Sequence, residues 1–266
     1  MDTPFQILLL RSSKGRSAEK MREHVGRAFV VVVCLVGLLR PEVTRAQREE
    51  HCTLAQGFWG DAGAKFKGKT AAVLLNSLIT SESPIVVGKV GVRSLSIPHG
   101  AAACIVNRLP AGGVPSPLPQ TLGDAVLVGL NDCNTSPSPI RLLSNPSNGK
   151  HGFRNSLLGE TIALAINLRN DSALASMKLS PSVCTQGKLL NGDPDVNDVR
   201  TFTIPGAVLN AFTELNLPKS IAGLLELANR ALAGQSTSVV DLKDINNAVV
   251  AVNSAFSGCR FLVICN

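Results

Sequence analysis

The chain has 266 residues, of which 45% are hydrophobic, with nine phenylalanines, one tryptophan and no tyrosine. This composition is ordinary for a globular protein and argues against a disordered, collagen-like or coiled-coil chain. The formal net charge is +7, but residues 47–266 carry 18 basic and 15 acidic side chains, a net charge of only +3. Basic residues scattered at so low a net charge argue against a nucleic-acid partner. The one local cluster of Lys65, Lys67 and Lys69 is expected to be solvated.

The first predicted element is an export leader. Residues 28–39 are twelve uncharged, mostly apolar residues, too few for the roughly 20 that cross a bilayer but typical of a signal peptide. Arg22 and Arg27 precede them, and cleavage after Ala46 would leave small residues at the required positions, so we predict a leader and signal peptide over 1–46 that contacts the membrane only transiently. The segment before Met21 is unusually long, which favours Met21 as the true start. A buried core strand is the alternative, and the charges on both sides disfavour it.

The cysteines predict a disulfide framework in the exported part. Cys34 lies inside the leader, where the preceding valine does not fit a lipid-attachment motif. Six cysteines remain, an even number that indicates disulfides in an exported chain and allows 15 pairings that the sequence leaves open. Zinc ligands typically lie two to four residues apart, and no two of these cysteines do. The candidates are Cys52, Cys104, Cys133, Cys184, Cys259 and Cys265.

The first half of the mature chain alternates short helices and strands. Apolar spacing predicts helices over 69–80 and 101–109, and strands over 84–90 and 92–97. Residues 110–152 are rich in Pro, Ser and Asn and read as loops with one ordered element at 121–130.

The second half is predicted to be mainly helical. Helices are expected over 156–170, from 205 onward, over 220–233 and over 241–257, with strands at 174–179, 200–204 and 259–265. Asp241 is expected to cap the amide of Asp244. The apolar stripes of the last two helices should face each other or a common sheet. We therefore predict a single helix-dominated α+β domain over 47–266 with a few short strands and disulfide staples.

One acidic loop is a weak calcium candidate. Asp193, Asp195 and Asn197 place oxygen ligands at every second position, as in the opening of a calcium loop. Asp198 stands where that loop needs glycine, and Ile204 replaces its final glutamate. A turn in which Asn and Asp side chains bond the backbone is therefore favoured, and no metal or other cofactor is otherwise expected.

The sequence contains no familiar catalytic motif. Signatures of α/β-hydrolases, zinc proteases, phosphate-binding loops and dinucleotide-binding folds are all absent. The mature chain has His51, His99 and His151, and a hydrolase site built from loops around His99 or His151 remains the alternative. Trp59 with Phe58 could form a small sugar platform, although packing is the favoured role.

Three stretches, CTLAQGFWG (52–60), IPHGAAACIVNRLPAGG (97–113) and DINNAVVAVNSAFSGCRFLVIC (244–265), together resemble a family of secreted bacterial proteins of uncharacterised function. Members occur alone or within larger surface proteins and have a Q-G-[FY]-W element near the start. The resemblance implies export and transfers no catalytic residue. The expectation is a secreted, non-catalytic cell-surface or interaction domain with an extracellular partner.

Overall fold

The computed structural model describes residues 49–129, 133–136, 152–237 and 239–265, all within one compact unit of residues 45–266. The predicted leader, with Met21 and Cys34, lies outside the described residues. The helices are α1 (Gln56–Trp59), α2 (Ala71–Leu78), α3 (Ala102–Arg108), α4 (Ser156–Asn170), α5 (Gly206–Glu214), α6 (Ile221–Leu232) and α7 (Leu242–Ala255). The strands are β1 (Glu50–His51), β2 (Lys65–Phe66), β3 (Lys69–Thr70), β4 (Ile85–Lys89), β5 (Arg93–Ile97), β6 (Asp124–Val128), β7 (Asn134–Ser136), β8 (Ser182–Lys188), β9 (Pro194–Thr203) and β10 (Arg260–Val263).

The strands form two four-stranded sheets and a small hairpin. The first sheet has the order β1-β10-β8-β9 and is antiparallel throughout, so it joins the two ends of the described chain. The second has the order β4-β5-β6-β7, with β5 and β6 parallel, and β2 pairs with β3. This arrangement of helices and separate sheets confirms the predicted α+β class.

Helix α4 lies at the centre of the core and packs against α6, α7 and β4. Asn155 caps it by accepting a hydrogen bond from the Leu158 amide (3.2 Å). The stripes of α6 and α7 face each other, as the sequence predicts, and Leu224, Ile245 and Val249 are fully buried. Each such side chain contributes about 1.5–3 kcal/mol by burial, so this three-helix layer is the main support for both sheets.

Three disulfides close the fold: Cys52–Cys259, Cys104–Cys133 and Cys184–Cys265. All six predicted cysteines are used. Two of the bonds flank strand β10, one just before it and one two residues after it, and tie it to β1 and β8. Strand β10, one of the two inner strands of the first sheet, is therefore held covalently at both ends.

Several local predictions are wrong. The sequence predicts a strand over 174–179, but Ser172–Ser176 forms a 3₁₀ turn that buries Leu174, because a short apolar run fits a tight turn as well as a strand. The sequence pattern does not predict the one-turn helix α1, which contains Trp59. The sequence pattern does not predict strands β7 and β8, whereas β6 confirms the ordered element expected inside the loop-rich region.

Among the described residues, no helix combines the length and apolarity that crossing a bilayer requires.

Candidate functional site

The outer face of the first sheet carries an open groove of about 1210 Å³. In β8 and β9, side chains alternate between this face and the core, because successive residues of a strand point to opposite sides. Val183 and Phe202 pack toward the core, while Cys184 and Gln186 lie opposite Thr201 and Val199 on the other face. The groove is lined by Glu49, Met177, Lys178, Ser180, Pro181, Ser182, Val183, Cys184, Gln186, Val196, Val199, Thr201, Leu262, Val263, Ile264 and Cys265.

Several apolar side chains that line this groove are exposed. Ile264, Val196 and Val199 are 90%, 73% and 52% exposed. Single exposed apolar residues are ordinary, but a contiguous patch marks an interaction surface. The Cys184–Cys265 disulfide lies in the groove wall and fixes the end of β10 there.

Strand β9 is one edge of the sheet beside the groove. The Ile204 amide donates to the carbonyl of Pro181 (2.9 Å), which makes these two residues a hydrogen-bonded pair. Such pairs alternate with non-bonded pairs along an antiparallel ladder. The amides and carbonyls of Val199, Thr201 and Thr203 therefore point away from β8. In the described part of the chain, no strand pairs with that side of β9.

A buried arginine supports the sheet from the core side. Arg260 is 4% exposed, and its Nη1 lies 2.6 Å from Oδ2 of Asp198, while its Nε donates to Oγ1 of Thr185 (2.9 Å). The hydrogen bond from Arg260 is the main cause that lowers the pKa of Asp198, and Arg200 adds to it. This anchor ties the bulged part of β9 to β10 across the intervening strand β8.

A second polar cluster lies inside the molecule around Glu160 on α4. Gln56 Nε2 donates to Oε1 of Glu160 (2.5 Å), and Asn253 Nδ2 donates to Oε2 (2.7 Å). The Ala111 amide donates to Oε1 of Gln56 (2.7 Å). Burial raises the pKa of Glu160, although the hydrogen bonds from Asn253 and Gln56 oppose that rise. Segments 52–60 and 244–265 thus meet at this carboxyl group through Gln56 and Asn253, and segment 97–113 joins them through the bond from Ala111 to Gln56.

The hydrogen bonds of this cluster link separate segments of the chain. Asn253 Oδ1 also accepts from Asn167 Nδ2 (3.0 Å), whose amide group bonds both the amide and the carbonyl of Leu54. Each amide side chain is fixed by its other partners, so the network ties the N-terminal segment to α4 and α7.

Of the calcium candidates, Asp193 is exposed in the turn between β8 and β9, whereas Asp195 and Asn197 lie in the first part of β9. Oδ1 of Asn191 accepts from the Asp193 amide (3.1 Å), and Oδ1 of Asp195 accepts from the Asn197 amide (2.9 Å). These bonds are the backbone-bonding turns favoured from the sequence, and the calcium hypothesis stays a prediction.

A further group of potential metal ligands involves disulfide sulfurs. In residues 49–129, 133–136, 152–237 and 239–265, the group of acidic, His and Cys side chains with ligand atoms within 4.8 Å of one another is Glu50, Cys52 and Cys259. Cys52 and Cys259 are bonded to each other, so their sulfurs are not free thiolates.

The histidines do not assemble a hydrolase site within the described residues. His99 is exposed, and its Nδ1 bonds the carbonyl of Ile79 (2.6 Å) rather than a carboxylate or serine of the described segments. His51 is buried beside Asp171 (Nδ1 to Oδ2, 3.2 Å), and its Nε2 lies 3.6 Å from Oε2 of Glu49, so that among the described residues both ring nitrogens face carboxylates rather than a serine. His151 lies outside the described residues.

The aromatic and lysine predictions have clear outcomes. Trp59 is fully buried and packs edge-on against Phe58, so it is a core residue and not a sugar platform. Lys65, Lys67 and Lys69 are exposed on the β2–β3 hairpin, which confirms the solvated cluster.

The chain matches no protein-family model, no curated protein and no solved structure. Sequence reasoning missed the groove altogether. Its valines do not alternate regularly, because the β8–β9 ladder shifts register between Gln186 and Gly187 and places both Val196 and Val199 on the groove.

Proposed function

We propose that residues 47–266 are an exported, non-catalytic domain that binds an apolar polypeptide segment of another extracellular or cell-surface protein in the groove. The observation that carries this proposal is the groove itself. It is a concave, largely apolar surface on a sheet whose strands are held in place by two disulfides.

The charges around the groove favour a polypeptide partner. Only Glu49 and Lys178 among the lining residues are charged, and their charges are opposite. A nucleic acid or an anionic membrane surface would be attracted by a basic patch, which this surface lacks. An apolar segment of a protein gains by burying the exposed valines.

Three features support export. Three disulfides suit an oxidising compartment; the sequence predicts a cleaved leader; and three stretches resemble secreted bacterial proteins. N-terminal sequencing of the exported protein should begin at Gln47. Recovery of exported protein that still contains residues 28–39 would contradict this part of the proposal.

The alternative is a hydrolase with a loop-built site around His99 or His151. For His99, the bond to a backbone carbonyl and the absence of a carboxylate or serine contact in the described residues argue against that function. In the groove, the hydroxyl of Ser180 donates to the carbonyl of Ser182 rather than to Glu49 or Lys178.

Selection from a displayed library of random peptides tests the binding function. Residues 47–266 should enrich peptides that carry apolar side chains, and Val263→Lys should weaken their binding at least about tenfold, because a charge in the groove must be desolvated. Val90→Lys is the matched control, since Val90 is 68% exposed in the turn between β4 and β5. The proposal fails if no peptide is enriched, or if enriched peptides bind the Val263→Lys protein as tightly as the control.

A further inference from the structure

We propose that the polypeptide that binds at the groove does so as an extended strand that pairs antiparallel with residues 199–203 of β9. The partner would add a fifth strand to the first sheet, the mode of recognition known as β-strand addition. Its chemical class is a segment with apolar side chains at alternate positions and one acidic residue between them. This inference rests on the proposed function, since it assumes that the groove receives a polypeptide.

The free backbone groups of β9 supply the first argument. Residues 199–203 form a regular ladder with β8, because the register shift of that ladder lies before Val199. Val199, Thr201 and Thr203 each direct an amide and a carbonyl away from β8, and the described residues place no strand beside them. A regular edge of this kind is a template for another strand. The irregular first part of β9 is not needed for the pairing.

The edge is also open to solvent beside the groove. Val199 is 52% exposed, and Thr201 and Thr203 are exposed as well, whereas residues 183–187 of the neighbouring strand β8 are buried. Val199 and Thr201 line the groove. Side chains directly opposite each other in an antiparallel pair lie on the same face of the sheet. Every second side chain of the partner would therefore lie on the groove face, which favours apolar residues at alternate positions.

The charges at this edge predict the acidic residue of the partner. Arg260 bonds both carboxylate oxygens of Asp198 (2.6 and 3.1 Å), and Nε of Arg200 lies 3.1 Å from one of them. Two positive charges thus share one negative charge, and Arg200 remains 56% exposed. An acidic residue opposite Arg200 in the added strand would balance the remaining charge. Opposite charges directly across two strands are stabilising, whereas like charges are destabilising.

Substitutions at position 201 separate backbone pairing from side-chain contact. Thr201→Pro removes the outward N–H, and proline is tolerated at an edge position whose amide faces solvent. Thr201→Val is the matched control, since it loses the same hydroxyl and keeps the amide. Titration calorimetry with a synthetic copy of a peptide enriched by selection should show binding weakened at least about fivefold by Thr201→Pro, the cost of a lost backbone hydrogen bond, and little changed by Thr201→Val. Equal affinities of the two variants overturn the inference.

N-methylated copies of the same peptide make the test on the unaltered protein, so it stands even if the proline variant does not fold. Peptide amides opposite Val199, Thr201 and Thr203 would bond β9, and the amides between them would point away. Methylation should therefore weaken binding at every second amide and be tolerated at the others. Uniform tolerance, or losses without this alternation, overturns the inference and leaves the binding function of the groove intact.

An exchange of charges tests the position of the partner. Replacing the acidic residue of the peptide by lysine should weaken binding about threefold, and Arg200→Glu should restore it. Lys243→Glu makes the same charge change at an exposed site on α7 and should restore nothing. Enriched peptides that lack the acidic residue, or no recovery with Arg200→Glu, overturn the inference. Failure to enrich any peptide overturns the proposed function itself.

Discussion

At the scale of single residues, Glu160 links the stability of the fold to pH. Its carboxyl group is largely buried, no basic side chain bonds it in the described residues, and burial raises its pKa above the ordinary 4.5. The folded state therefore keeps this proton to a higher pH than the unfolded state. Stability that is present below about pH 4.5 is lost as the pH rises through the folded pKa.

The substitution Glu160→Gln should remove this dependence. At about pH 4 we expect the variant to be less stable than the wild type by about 1 kcal/mol. Gln56 and Asn253 each donate to a different oxygen of Glu160, whereas the amide of a glutamine has one oxygen and would turn its NH2 group toward the other donor. The difference in free energy of unfolding should shrink or change sign toward neutral pH, because only the wild type must bury a charge. Urea unfolding at a series of pH values measures it.

Glu214→Gln is the control for this experiment, because Glu214 is exposed at the end of α5. Its unfolding curves should follow those of the wild type at every pH. A deficit of the Glu160→Gln variant that grows as the pH rises would contradict the predicted direction.

The Glu160 cluster also shows what the sequence could not reveal at this scale. Gln56 and Asn253 stand in stretches singled out for their resemblance to other proteins, yet they are 104 and 93 residues from Glu160. Polar residues in apolar helices look like surface positions in a sequence. Only the folded structure shows that both side chains donate hydrogen bonds to the carboxyl group of Glu160 in the interior.

At the scale of elements, the sequence predicts the residue that caps the start of α7. Oδ1 of Asp241 accepts a hydrogen bond from the Asp244 amide (2.7 Å), as expected. Asp241→Ala should lower the free energy of unfolding by about 1 kcal/mol, the usual cost of losing such a cap. Lys243→Ala, in the same turn and also exposed, should change it by less than about 0.5 kcal/mol. Equal effects of the two substitutions in urea unfolding would contradict the capping role.

The sequence predicts the helices better than the strands for a physical reason. The period of apolar residues is local information, and it locates α4 to its terminal residues and α6 and α7 to within two. Strand β8 has no such signal, because its buried Thr185 and Gln186 are polar, and Thr185 bonds Arg260 on a distant strand. The pairing order of the sheets, and with it the groove and the free edge, depends on contacts that no local pattern contains.

At the scale of the whole molecule, the three disulfides constrain the unfolded chain to different extents. Cys104–Cys133 closes a separation of 29 residues, Cys184–Cys265 one of 81, and Cys52–Cys259 one of 207. In the chain-entropy model their contributions to the free energy of unfolding are about 3.5, 4.5 and 5.5 kcal/mol. Each is comparable to a sizeable part of the roughly 5–15 kcal/mol that stabilises a typical domain.

Replacing each pair of cysteines by alanine should therefore destabilise the protein in the order of these separations. The loss of Cys52–Cys259 should be the most severe, since it removes the largest constraint on the unfolded chain and leaves the two-residue strand β1 held to β10 without a covalent link. Thermal and urea unfolding of the three variants, each with its two remaining disulfides confirmed by peptide mapping, measures the order. If the Cys104/Cys133 variant were the least stable of the three, constraint of the unfolded chain would not be the main role of these bonds.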